Sequence, residues 1–309
     1  MQNLNREEFE ILTYFEKYRN MQLPLENICN ELNISFDLLE NTIKDLVDKH
    51  LLLEDDNCYS INDNGLEAIE PYRVKKAFIL GAGFGSRMVP VTLHMPKPLV
   101  KVKDKRIIET LLDALVEKGI EDITIVCGYK KECFDILLEK YPFIKLVSND
   151  EYDSTNSISS LEKVINDIGD CYICEADFYI SNADVIHKYN YCTNYLGSYT
   201  KETDDWCLDL DNGYVKNYRK GGKDCYRAYC ISYWSKEDAE ILKKDILNQC
   251  SLEDGKDIFW EAVALNLCHD HYKIEIAECN QEDIVEIDSF DELVEIDESY
   301  RTYKSESEV

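Results

Sequence analysis

Long apolar runs are missing from this 309-residue chain. None approaches the roughly 20 residues that a membrane-crossing helix requires, so membrane insertion is not expected. The opening stretch, Met1 to Glu10, is polar and acidic and lacks the apolar core of a secretory leader. These absences point to a cytoplasmic protein. Positive charge is scarce too: 34 Lys and Arg face 62 Asp and Glu, a formal net charge of −28. Such a surface repels nucleic-acid phosphates and anionic membranes at long range, which disfavours both as partners. Internal repeats are absent. The 13 cysteines are odd in number and scattered, and Cys171 and Cys174 form a CxxC with no second pair at zinc-ribbon spacing. In a reducing compartment they act as small buried hydrophobes.

At 45% hydrophobic and 31% charged, the composition is that of a globular protein, and the length suits two domains. Residues 1–73 read as a small helical unit. Phe9, Ile11, Leu12 and Phe15 recur at helical spacing, Leu25, Ile28, Cys29 and Leu32 mark a second helix, and Ser35 caps a third. Leu51–Leu53, an acidic turn at Asp55-Asp56-Asn57, and Cys58–Ile61 read as a hairpin. Three helices and a hairpin resemble a winged-helix domain. Its third helix, however, offers Asp37, Glu40, Asp45 and Asp48 against Lys44 and Lys49, the wrong sign for phosphate contacts, so a regulatory or docking role is expected rather than DNA binding. A homo-oligomer is compatible with this arrangement.

From Val74 the pattern changes. Apolar strands at Lys76–Leu80, Ile123–Cys127, Ile144–Val147 and Cys171–Cys174 alternate with helical segments at Ile107–Lys118, Lys131–Tyr141 and Ile158–Ile168. This alternation predicts an α/β domain over 74–309, a Rossmann-like, mostly parallel sheet flanked by helices.

The first strand runs into Leu80-Gly81-Ala82-Gly83-Phe84-Gly85-Ser86-Arg87 and should then open a helix. Glycines let backbone N–H groups approach a triphosphate unobstructed, and Arg87 adds a cation beside them. Lys97 follows between Pro96 and Pro98, which stiffen its backbone. Between Gly85 and Arg106 stand six basic residues (Arg87, Lys97, Lys101, Lys103, Lys105, Arg106) and one acid, Asp104. The GxGxxG spacing of a dinucleotide site is absent, so the segment reads as a nucleoside triphosphate loop. For a divalent metal, Asp177 stands at the carboxyl end of the Cys171–Cys174 strand, and Glu286 and Asp288 share one face of an alternating segment. The same alternation also serves a plain surface strand.

The run Gly81 to Thr92, continued by Met95-Pro96-Lys97-Pro98-Leu99-Val100-Lys101-Val102, resembles the signature of the sugar-phosphate nucleotidyltransferase superfamily. Within it, Val126–Lys131, Ser148–Tyr152, Glu175-Ala176-Asp177, Asp257–Glu261 and Glu286–Ser289 are similar to the bacterial phosphocholine cytidylyltransferases. Glu175 and Glu261 depart from aspartates there, Phe259 from a tyrosine, and Asn156-Ser157 from an Asn-Asn pair. The resemblance implies Mg2+ on Asp177 and Asp288 with Glu286 beside them. It places Gly128, Tyr129, Asn156 and Ser157 near the nucleotide.

A quaternary ammonium is held by aromatic faces and carboxylates. Trp206, next to Asp204 and Asp205, and Asp257, Phe259, Trp260 and Glu261 supply those types, whereas Trp234 reads as core. The resulting expectation is a Mg2+-dependent enzyme converting CTP and phosphocholine to CDP-choline and pyrophosphate. Lys97 and Arg87 would be its phosphate-handling cations. The alternative acceptors are 2-aminoethylphosphonate, phosphoethanolamine or a sugar 1-phosphate. A different class altogether is a winged-helix regulator whose second domain only senses a ligand. His269-Asp270-His271 reads as an exposed turn.

Overall fold

The computed structural model describes residues 4–19, 25–55 and 58–306; Asp56 and Asn57 of the acidic turn, the first three residues and the last three lie outside them. The chain divides into two compact units: 1–73 with 189–191, and 74–188 with 192–309.

In the first unit, helices Arg6–Lys17, Leu25–Leu32 and Phe36–Asp48 are followed by the hairpin β1 (Leu52–Asp55) and β2 (Cys58–Ile61). A further helix, Asp63–Ile69, was not legible in the sequence. Asn5 caps the first helix through a reciprocal capping box with Glu8, and Ser35 accepts from the Leu38 amide at 3.3 Å at the start of the third. Ile11, Leu12, Ile28, Leu39, Ile43 and Leu46 are fully buried and form its core.

The second unit is built on a seven-stranded mixed sheet. In chain order its strands are β3 (Lys76–Gly81), β6 (Asp122–Cys127), β7 (Lys145–Ser148), β8 (Cys171–Glu175), β10 (Asn194–Asp211), β11 (Tyr214–Trp234) and β12 (Glu275–Glu278), and their spatial order is β12-β10-β11-β8-β3-β6-β7. Two short pairs stand outside it: β4 (Lys101–Val102) with β5 (Lys105–Arg106), and β9 (Phe178–Ile180) with β13 (Ile284–Glu286). Four of the sheet's pairings are parallel; β10–β11 and β11–β8 are antiparallel. Both faces are covered, which is why the central strands are apolar throughout. Ala77 and Ile79 pack on one side with helix Ile107–Glu117, while Phe78 and Leu80 pack on the other with Trp234 and Trp260.

Three expectations change. The segment read as a helix over 131–141 is a 3-10 helix, Lys131–Glu139. The glycine loop opens onto a single 3-10 turn, Ser86–Met88, rather than a helix, so backbone amides act there without the dipole of a long helix. And residues 194–234, where no element was expected, form a long bulged β-ribbon.

Candidate functional site

The loop, lysine and carboxylate groups of the site gather where β3 and β8 end and at the short β9–β13 pair, and the long β10–β11 ribbon supplies further groups from within its strands. Leaving β3, the loop passes Gly85 in left-handed geometry (φ 67°), and a Cβ there would lie 2.8 Å from the Lys97 Cβ. Glycine is therefore required for the loop to pass Lys97. The Tyr129 amide donates to the Ala82 carbonyl (2.9 Å), the Tyr129 hydroxyl to the Thr92 carbonyl (2.9 Å), and its ring packs edge-on against Phe84. A Cβ on Gly128 would meet the Ala82 oxygen at 2.6 Å. Gly128 and Tyr129 thus buttress the loop from behind; they do not line the cavity.

Across the antiparallel β9–β13 pair, Phe178 faces Glu286. That register sets Asp177, one residue before Phe178, beside Asp288, two residues after Glu286. One carboxylate oxygen from each of Asp177, Glu286 and Asp288 lies within 4.8 Å of the others. Lys97, only 7% exposed, reaches between them, with Nζ 3.0 Å from Asp177 Oδ2 and 2.7 Å from Asp288 Oδ1. Arg87 lies 2.8 Å from the other Asp288 oxygen. Burial works against the Lys97 ammonium, but the two carboxylates outweigh it and its pKa rises above the ordinary lysine value. Burial, then the neighbouring Asp177 and Asp288, push Glu286 up to about 8. Asp177 Oδ1 is buried with no hydrogen-bond partner. Three convergent hard oxygens suit a divalent cation.

A cavity of about 320 Å³ opens beside this cluster. Leu80, Ala82, Gly83, Arg87, Asn156 and Ser157 line one part, and an adjoining groove adds Gly81, Gly85, Ser86 and Lys97. Asn156 caps helix Ser157–Val164, and Ser157 Oγ accepts from the Trp260 amide at 3.2 Å. Of the six basic residues between 85 and 106, Arg87 and Lys97 line these spaces, whereas Lys105 and Arg106 pair with Asp113 and Glu109.

The other wall is aromatic and acidic. Trp206 stacks on Tyr218 (centroids 4.6 Å, 17°), and Phe259 meets it edge-on at 6.1 Å. Glu175 and Glu261 face the same cavity. Glu261 is 2% exposed with Oε2 lacking a partner, and burial lifts it to about 7; burial and Glu261 raise Glu175 well above the carboxylate range. Two sequence expectations fail here. Trp260 is 1% exposed and packs against Trp234 at 6.1 Å, so its ring is core, and Asp257 is exposed and outside the cavity lining. Contributors on the ribbon were missed: Tyr218 and Lys220, which line the cavity, and Arg227, whose guanidinium bridges Asp205 (2.9 Å) and Glu286 (3.3 Å).

A glycine loop at a strand's carboxyl end, a lysine shared by two carboxylates and a sheet of this order define a nucleotidyltransferase. The nucleotidyl transferase family model matches residues 76–204. The 2-aminoethylphosphonate cytidylyltransferase of Lancefieldella rimae is 36% identical over 228 residues, covering 72% of this chain and 92% of that one. The choline-phosphate cytidylyltransferase of Streptococcus pneumoniae is 33% identical, covering 72% and 97%. The solved CTP:phosphocholine cytidylyltransferase structure from Streptococcus pneumoniae superposes with a TM-score of 0.68 at 32% identity, over 74% of this chain and all of that one. The chain belongs to the cytidylyltransferase family of nucleotidyltransferases and is an enzyme of that class.

Proposed function

We propose that this enzyme transfers the cytidylyl group of CTP to a small phosphate or phosphonate carrying an alkylammonium group, releasing pyrophosphate. The first reading of the acceptor is phosphocholine, giving CDP-choline. The observation that carries the transfer is Lys97 held by Asp177 and Asp288 directly beside the glycine loop. An acceptor phosphate or phosphonate oxygen is already anionic near neutral pH, so its in-line attack on the α-phosphorus needs no general base, and catalysis rests on positioning and charge neutralisation. The amides of 81–86 and Arg87 hold the β- and γ-phosphates, and Lys97 bridges the reacting groups. Asp177 and Asp288, with Glu286 beside them, would hold Mg2+, which offsets negative charge on the polyphosphate. Arg227 fixes the Glu286 carboxylate from behind.

Trp206, Tyr218 and Phe259 offer faces and edges to a trimethylammonium, and the part-buried Glu175 and buried Glu261 face the same cavity, where a bound cation would favour their charged forms. One observation favours a second reading. The open Oε2 of Glu261 is an acceptor that a trimethylammonium cannot satisfy but a primary ammonium can, which points to 2-aminoethylphosphonate. Pyrophosphate release from CTP with each acceptor decides. Turnover of phosphocholine that falls sharply in Trp206→Ala supports the first reading. Preference for the primary amine, with Trp206→Ala tolerated, supports the second, and release with neither acceptor overturns both. For residues 1–73 we propose a winged-helix-like docking or regulatory module. Lys44 and Lys49 of its third helix are already paired with Glu40 and Glu8, leaving little positive charge for DNA.

A further inference from the structure

His271 lies on an exposed turn, as the sequence suggests, yet one edge of its ring meets a buried acid. Its Nδ1 lies 2.8 Å from Oδ2 of Asp245, a buried residue on helix Lys236–Cys250. The Tyr272 hydroxyl donates to the same oxygen at 2.5 Å. Cys268, ending the preceding π-helical turn, brings its sulfur to the same place: one ligand atom each from Asp245, Cys268 and His271 lies within 4.8 Å of the other two. None of the three lines the catalytic cavity. The donors differ in kind from those at Asp177, Glu286 and Asp288. There all three are hard oxygens; here a thiol, an imidazole and a carboxylate converge.

We propose that Asp245, Cys268 and His271 form a binding site for a zinc-class transition-metal ion, separate from the catalytic metal cluster. A mixed S/N/O set with one position left for water is what Zn2+ accepts and what Mg2+ does not favour. Bond lengths of about 2.0–2.3 Å place tetrahedral ligand atoms roughly 3.3–3.8 Å apart. Atoms now up to 4.8 Å apart therefore close by about 1.5 Å at most, while His271 Nδ1 and Asp245 Oδ2, 2.8 Å apart, open by about 0.5 Å or more as the metal replaces their hydrogen bond. His271 is half exposed on a 3-10 turn and can make that adjustment. On binding, the Cys268 thiol loses its proton to solvent, and the imidazole stays neutral with its proton on the ring nitrogen that does not bind. Tyr272 keeps its hydrogen bond to Asp245, the outer contact that orients a ligating carboxylate. The ion would tie the end of helix Lys236–Cys250 to the 268–272 turn. Tyr272 in turn packs edge-on against Trp234 at 5.4 Å, and Trp234 against Trp260, the neighbour of Glu261.

The full chain, stripped with chelator and held in excess Mg2+ to occupy hard-oxygen sites, is titrated with Co2+ as a spectroscopic probe and then with Zn2+ in competition. One equivalent should produce a thiolate-to-cobalt charge-transfer band, which the carboxylate cluster cannot give because it has no sulfur. Zn2+ should abolish the band and raise the melting temperature. Cys268→Ser should remove the band, and His271→Ala should weaken Zn2+ binding at least about 10-fold, since even loss of an outer-shell partner costs 10- to 100-fold. Absence of the band, its survival in Cys268→Ser, or undiminished affinity in His271→Ala would each overturn the proposal. Circular dichroism of both variants confirms that the fold is intact.

Discussion

Two sets of carboxylates line one cavity and are treated in opposite ways. Asp177, Glu286 and Asp288 are answered from within the protein, by Lys97, Arg87 and Arg227. Glu261 is buried and Glu175 partly so; both carry raised pKa values, and neither forms a salt bridge with Lys or Arg among the described residues. A buried carboxylate without a cation is costly. On the proposed function, the first set serves phosphate and metal, while an ammonium-bearing acceptor would draw the second set into its charged form.

The sharpest break in this contrast comes at the first set. Lys97→Ala and Asp177→Ala should each lose at least about 100-fold in kcat/KM for pyrophosphate release, the scale on which charge-stabilising groups act; near wild-type rates would remove them from the mechanism. At the second set, Glu261→Gln should raise the acceptor KM about 10-fold or more and leave the CTP KM unchanged, since a charge-assisted contact contributes about 1.5–3 kcal/mol. A change in CTP KM instead would place Glu261 with the nucleotide.

The same residue makes a thermodynamic prediction. Its carboxyl is lifted from 4.5 to about 7 in the folded protein, so the folded state holds the extra proton across that interval. Stability is therefore lost as pH rises from 4.5 to about 7, and Glu175 contributes in the same direction. Melting curves should show the wild type falling steadily behind Glu261→Gln over that window; parallel curves would mean that Glu261 is already paired. The smallest effect is expected at the loop. Gly85→Ala forces a side chain into left-handed geometry 2.8 Å from Lys97 and should cost about 1–2 kcal/mol in denaturant unfolding, with weaker CTP binding.

Legibility in the sequence follows the range of the interaction that fixes each residue. The glycine loop and Lys97 form one local motif, and Asp177 ends a strand whose apolar run identifies it. Asp288 and Glu286 share a face by simple alternation. Trp260 misleads because a short helix starting there turns its ring inward onto Trp234 while Phe259 and Glu261 on either side face the cavity. Tyr218 and Arg227 were invisible for another reason. Their places depend on the bulged register of the β10–β11 ribbon, where Leu208 faces both Tyr218 and Tyr226, and no local pattern encodes a register of that kind. The basic stretch was overread: only Arg87 and Lys97 face the cavity, and paired acids elsewhere account for Lys105 and Arg106.

The most direct test is a crystal structure with a non-reactive CTP analogue and Mg2+. The account predicts triphosphate against the 81–87 loop, a metal ion on Asp177 and Asp288, and Lys97 turned toward the phosphates. A triphosphate bound away from that loop, or Lys97 left between the two aspartates with no metal beside it, would contradict it.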